Sequence, residues 1–246
     1  MSLMRPLLAV LFSTAAACGS DGGGGGGSSY PDAGPELNDP ESARLFPLEI
    51  HTGYDGSAEF RVPVYTDLSK HVFGEAQWST GDSSIVQVEP VDEPSQYPSR
   101  GVWAMLTTKG PGQTTVTATI GDYLVGSTVT VASYTPAQVA AGQARYNGNG
   151  TGDRVSCASC HQQAGGVDHS PTEMAHHDDD ALLTVITEGH YPDLCVTDEG
   201  DECTCGTSGC ETEPGYVLSV EHQWNLTEDE AAGIVPYLRS LAPRGF

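Results

Sequence analysis

Hydrophobic positions along the chain follow two rhythms. From about Leu45 to Ser133 apolar and polar residues alternate in short runs, among them Ala58-Glu59-Phe60-Arg61-Val62, Ile85-Val86-Gln87-Val88 and Val102-Trp103-Ala104-Met105-Leu106. Thr115-Val116-Thr117-Ala118-Thr119-Ile120 and Ser127-Thr128-Val129-Thr130-Val131 continue the pattern. Period-two alternation rich in Val, Ile and Thr, punctuated by turn residues, predicts antiparallel strands packed as a β-sandwich. After Tyr134 the rhythm becomes helical. Thr135-Pro136 supplies an N-cap and a first-turn proline, which predicts a helix from Ala137 to Tyr146, ended by Asn147-Gly148-Asn149-Gly150. A second helix is expected from Asp180 to Glu188. Thr227-Glu228-Asp229-Glu230 is a capping box, and Ile234, Tyr237, Leu238 and Leu241 form an apolar stripe behind it. Pro236 falls inside that last helix and is expected to kink or shorten it.

Ahead of both rhythms lies a run of a different kind. Arg5 precedes the apolar stretch Leu7-Leu8-Ala9-Val10-Leu11-Phe12, then Ser13-Thr14-Ala15-Ala16-Ala17 leads into Cys18. The apolar stretch is too short to span a bilayer and reads as an export signal over residues 1–17. Small residues before Cys18 and the glycines Gly22 to Gly27 after it resemble the leader of a bacterial lipoprotein. That resemblance implies lipidation of Cys18 and a flexible Gly-rich linker over residues 18–44. Two or more acyl chains anchor stably, whereas one binds only marginally.

Residues 45–133 contain no cysteine, so their core rests on apolar packing, with Trp78 as an inward anchor. The order Gln77-Trp78-Ser79, Ser84-Ile85-Val86-Gln87-Val88, then Lys109-Gly110-Pro111-Gly112-Gln113-Thr114-Thr115-Val116 resembles a bacterial immunoglobulin-like domain of group 2. The resemblance implies a spacer or adhesion module. No catalytic constellation is present, and His51 and His71 read as surface or loop residues.

The chemistry lies further on, in Cys157-Ala158-Ser159-Cys160-His161. C-x-x-C-H is the attachment signature of c-type haem. Two thiols on one tight turn reach the vinyl groups along one edge of the porphyrin, and the adjacent imidazole faces the iron. With the helices around it, the segment 135–246 resembles a class I cytochrome c. In that family a Gly and an aromatic of the first helix, here Gly142 and Tyr146, pack against the last. The resemblance implies an all-α cytochrome c domain after the immunoglobulin-like β-sandwich, with one covalent haem c. Cys157 and Cys160 would form the thioethers and His161 the proximal iron ligand.

The distal position decides the reactivity. The family places that ligand on the loop entering the last helix, where this chain has His222; Met174 and then His190 are the alternatives. His169, His176 and His177 read as solvated, and the carbonyl of Pro171 is a candidate partner for the His161 ring. Two imidazoles leave no site for a substrate and lower the potential relative to methionine ligation. The expectation is a one-electron carrier and not an enzyme. A haem enzyme or sensor with an exchangeable distal ligand, and an adhesion protein with an ancillary haem, are the rivals.

Cysteine count and charge complete the picture. Of the 7 cysteines, Cys195, Cys203, Cys205 and Cys210 form a separate cluster within an acidic stretch. They admit two disulfides or a zinc site, and an exported protein favours disulfides. Cys203 and Cys205 are too close to bridge each other easily, so they bond outward. The formal charge is −23, from 10 Lys+Arg against 33 Asp+Glu, which argues against a nucleic-acid partner. Between Arg154 and Arg239 there is no Lys or Arg. That face suits a redox partner carrying a basic patch, steered electrostatically, and a location in the periplasm or at the cell surface.

Overall fold

The computed structural model describes residues 43–68, 75–94, 101–148, 156–161, 168–190, 194–197, 210–213 and 224–246. The leader, Cys18, the linker, His71, Cys203, Cys205 and His222 lie outside the described residues. Eight strands come first: β1 (Ala43–Phe46), β2 (Glu49–Tyr54), β3 (Arg61–Leu68), β4 (Gln77–Thr80), β5 (Val86–Val91), β6 (Trp103–Thr108), β7 (Gly112–Ile120) and β8 (Tyr123–Ser133). They form two four-stranded sheets, ordered β1-β3-β6-β5 and β2-β8-β7-β4. Alternation sets which residues meet between them. Along β7, Thr114, Val116, Ala118 and Ile120 point inward and are buried, while Gln113, Thr115 and Thr119 are exposed. Leu45, Ile50, Val62, Val64, Val86, Leu106, Val125 and Val129 complete the core, and Trp78 packs half-buried against it. A tight turn joins β7 to β8 at the Ile120↔Tyr123 pair, with Gly121 at φ 59° where a hairpin needs positive φ. One pairing departs from an antiparallel sandwich: β2 runs parallel to β8, Glu49 opposite Thr128 through Tyr54 opposite Ser133.

The remaining elements are α1 (Pro136–Asn147), α2 (Ala158–His161), α3 (Pro171–Met174), α4 (Asp179–Glu188), β9 (Leu194–Thr197), β10 (Cys210–Glu213) and α5 (Glu228–Arg239). The expectation of an all-α second half is therefore wrong. Between α4 and α5 the backbone pairs as the antiparallel ladder β9/β10, Leu194 opposite Glu213 and Thr197 opposite Cys210. Strands predominate among the described residues, and α2 and α3 are single turns of four residues each. The physical reason lies in Val196, Thr197 and Thr212, whose β-branched side chains favour a pleated ladder over a helix.

Two glycines set the crossing of α1 and α5. A Cβ on Gly142 would lie 2.0 Å from the Gly233 carbonyl oxygen, and one on Gly233 would lie 2.4 Å from the Gln138 carbonyl oxygen. Only bare backbone permits that approach. Tyr146, one turn after Gly142, packs at a tilt on Tyr237 of α5, 5.3 Å between centroids. Pro236 neither ends nor shortens α5, which continues to Arg239. Proline leaves the carbonyl four residues back without its helical donor. Here that carbonyl, on Ala232, accepts from the Gln138 side chain at 3.3 Å. Gln138 also closes the capping box of α1 with Thr135, so one residue serves both helices.

The helices dock directly on the sandwich. The His51 amide of β2 donates to the Ala175 carbonyl at 2.7 Å, and Ala175 is fully buried. Tyr134, just beyond β8, rests on Phe60 and donates its hydroxyl to Asp179 at 2.5 Å. Burial and the Asp179 carboxylate push that hydroxyl well above the ordinary tyrosine range. Arg239, 1% exposed, reaches the same carboxylate and also donates to the carbonyls of Met174 and His177. At the far end the Phe246 ring leans on Trp103 of β6, 5.6 Å between centroids.

This junction makes stability depend on pH. Burial, then His176 and Arg239, holds His177 far below the ordinary 6.5, at about 4; burial lowers His176 as well. The neighbouring Asp178 opposes the shift without cancelling it. Between about pH 6.5 and 4 the unfolded chain binds a proton at His177 that the folded chain does not, so stability falls as pH falls through that window. Urea midpoints measured across it are expected to decline, and His177→Gln is expected to flatten the decline. An unchanged slope in the variant would show that His177 does not titrate in this way.

Candidate functional site

The turn carrying Cys157 and His161 is held by local hydrogen bonds. Ser159 donates its amide to Ser156 Oγ at 3.2 Å and its hydroxyl to the Ser156 carbonyl at 2.6 Å. The His161 amide donates to the Cys157 carbonyl at 3.1 Å, the i to i+4 link of one helical turn. That link sets Cys157 and His161 one above the other on the same face. Cys160 belongs to α2 by its backbone, while its side chain is outside the described residues. Cys157 and Ala158 pack half-buried against the cluster of Tyr146, Leu182, Ile234, Val235 and Leu238 at the α1/α5 crossing.

His161 is half-buried and its ring stacks on His169, 3.7 Å between centroids and 28° between planes. His169 in turn meets the edge of Tyr146 at 6.0 Å. The reading of His169 as solvated is corrected: it sits between His161 and the α1/α5 core. Asp168 accepts from the amide and hydroxyl of Ser170, and buried Ser170 caps α3. The Arg244 amide donates to both Ser170 Oγ and Thr172 Oγ1, which brings the C-terminal tail over the same loop. An open cleft of about 330 Å³ results, lined by Tyr146, His161, Asp168, His169, Leu241 and Arg244 among others. Burial, with Cys157, Tyr237 and Asp168 nearby, pushes the Tyr146 hydroxyl up to about 12, so it stays protonated at neutral pH.

Charge in the cleft follows from where the arginines go. Arg145 is buried, donates to the Gly148 carbonyl, lies 4.0 Å from Glu230 and covers the Trp224 ring. Arg239 is committed to Asp179 and two carbonyls. Arg244 lines the cleft, a cation that the fold brings from outside a stretch that has none in sequence.

The three distal candidates fall in different places. Met174, in α3, packs half-buried against the same cluster as Cys157, with its carbonyl held by Arg239. His190 follows α4, pairs with Glu188 at 3.1 Å and is not among the residues that line the cleft. His222 is outside the described residues; two positions on, the Trp224 amide donates to the Ile186 carbonyl of α4. The Pro171 carbonyl closes its own turn by accepting from the Ala175 amide. Cys195 and Cys210 lie on β9 and β10, with Cys195 opposite Thr212 and Cys210 opposite Thr197. Among the described residues no group of three or more His, Cys, Asp or Glu is arranged to hold a metal ion. No helix among them is long and apolar enough to cross a membrane.

No family model matches the chain, and no curated protein matches it. Among solved structures it is similar to domains 1-6 of the surface layer protein SbsC, at 16% identity over 43% of this chain and 14% of that one, with a TM-score of 0.31. Domains 4 and 5 of the S-layer protein SbsC match at 16% identity over 41% of this chain and 55% of theirs, with a TM-score of 0.29. A Dpr2 Ig1-Ig2 complex with DIP-Theta Ig1-Ig3 matches at 7% identity over 37% of this chain and 32% of that one, with a TM-score of 0.28. The chain spans less than two thirds of the length of each of these structures.

Proposed function

We propose that this chain is an exported, lipid-anchored electron carrier holding one covalently attached haem at Cys157, Cys160 and His161. The observation that carries the reading is the helical turn that sets Cys157 and His161 on one face, with His161 lining an open cleft. The cleft offers groups suited to a planar macrocycle bearing two carboxylates, with Asp168 also in its lining. Tyr146 and Leu241 give it an apolar wall, and Arg244 supplies a cation for the carboxylates. When bound, the haem supplies a one-electron Fe(III)/Fe(II) couple. The chain's residues then do the rest. The thiols of Cys157 and Cys160 would tether the group, and His161 would hold its iron. The α1/α5 core behind Cys157 keeps water from that side. His222 would be the second iron ligand in this reading, ahead of Met174 and His190. His190 is engaged with Glu188, and the Met174 backbone is fixed by Arg239.

Lipidation of Cys18 places the carrier on a membrane outside the cytoplasm, where Cys195, Cys203, Cys205 and Cys210 form disulfides. Cys195 and Cys210 are offset by two positions in the β9/β10 ladder. In this reading Cys203 and Cys205 bond outward, to Cys195 and Cys210 in either order. The acidic face steers a redox partner with a basic patch, an attraction that salt screens.

Optical spectra of the purified protein test the electron-carrier reading. The expected state is low-spin and indifferent to carbon monoxide, and His222→Ala is expected to turn it high-spin. High-spin haem in the unaltered protein with rapid carbon monoxide binding would instead favour an enzyme or sensor.

A further inference from the structure

We propose that His169 is a positioning residue: its ring fixes the rotation of the His161 imidazole. The proposal rests on the reading above that His161 is an axial ligand. The terminal torsion of a histidine side chain is broad and roughly two-fold, so His161's own rotamer does not choose the plane of its ring. A neighbour packed on the ring face does. His169 lies at van der Waals contact with that face, 3.7 Å between centroids with the planes 28° apart.

His169 is itself held in place. Tyr146, 2% exposed, meets it at 64°, and Tyr237 of α5 backs Tyr146 at 5.3 Å. Its neighbours in sequence are fixed too, Asp168 by two hydrogen bonds from Ser170 and Ser170 by the Arg244 amide. The column His161, His169, Tyr146, Tyr237 thus transmits the rigidity of the α1/α5 crossing to the ring of the ligand. Partners of this kind orient metal-bound imidazoles and tune the metal through them.

The same geometry separates His169 from a ligand role. Two axial imidazoles point their edges at the metal from opposite sides of a macrocycle. Rings stacked at 3.7 Å lie side by side, and stacking covers a face of His161 rather than its nitrogen-bearing edge. His169 acts through His161.

The plane of an axial imidazole sets the g-anisotropy of low-spin Fe(III), which electron paramagnetic resonance reads directly. The test compares the oxidised, haem-loaded full chain with His169→Ala and His169→Phe, after covalent haem has been measured in each. His169→Ala is expected to stay low-spin with shifted or multiple g-values. His169→Phe, which keeps a planar ring but no nitrogen, is expected to restore the original spectrum. Where the alanine variant is not recovered, His169→Leu, bulky but not planar, takes its place with the same expectation. A removal variant with unchanged g-values overturns the proposal. High-spin haem in both His169→Ala and His169→Phe also overturns it, because His169 would then be a ligand. Unaltered protein without covalent haem contradicts the underlying reading of His161, and the role of His169 toward it fails for that separate reason.

Discussion

Arg239→Ala is expected to destabilise the protein by about 3 kcal/mol, the low end for removing one partner of a buried charged network, because the Asp179 side chain is 37% exposed. The guanidinium is almost wholly buried and serves three acceptors: the Asp179 carboxylate and the carbonyls of Met174 and His177. Its removal takes a donor from each of two carbonyls, of which Met174's keeps the His177 amide, and opens a cavity between α3, α4 and α5. Asp179 also accepts from Tyr134 at the end of the sandwich, so the loss spreads to the junction. Lysine is a poor substitute, because one ammonium cannot match the planar fork that reaches all three acceptors. Urea unfolding checks this: a midpoint within error of the original would show that the network contributes nothing net. Asp179→Asn added to Arg239→Ala is expected to cost less than the sum of the two single changes, because they share one network.

Gly142→Val is the second large effect, at least about 3 kcal/mol, at the upper end of overpacking costs. The obstacle is backbone, with the Gly233 carbonyl oxygen 2.0 Å from the position of a new Cβ, so no side-chain rotation relieves it. The helices must separate. Separation also loosens Tyr146 on Tyr237 and exposes the cluster against which Cys157 packs. Gly233→Ala is expected to act in the same direction, and the two together less than additively. Thermal unfolding with near-ultraviolet circular dichroism reads both the stability and the tyrosine environment. Unchanged signals would mean that the crossing tolerates a side chain.

The sandwich was legible because alternation is a local signal. Thr114, Val116, Ala118 and Ile120 declare the inward face of β7 without reference to any other strand. The parallel pairing of β2 with β8 was not legible, since it joins residues about eighty positions apart and leaves no mark on either run. The length of α5 beyond Pro236 was hidden for a similar reason. The carbonyl that proline leaves without a helical donor is served by Gln138 on another element. The all-α expectation failed at Val196-Thr197 and Thr212, where the runs were too short to announce a ladder.

The candidate site divides along the same line. Cys157, Cys160 and His161 are visible as a pentapeptide because their chemistry demands fixed spacing. His169 was hidden inside Asp168-His169-Ser170, which reads as an ordinary polar turn until Tyr146 and the His161 ring are placed beside it. Arg244 was hidden as well, by distance in sequence: it reaches the cleft only because its amide bonds to Ser170 and Thr172. Both came from tertiary contacts with no local signature.

The most direct test of the account is whether haem is bonded to this polypeptide. The exported protein, made in cells equipped for covalent haem attachment, is denatured in acid and its intact mass and visible absorbance are measured. The account predicts that haem absorbance travels with the unfolded chain, that the mass rises by one haem, and that Cys157→Ala with Cys160→Ala abolishes both. Unfolded chain with no haem absorbance and no haem in its mass would contradict it.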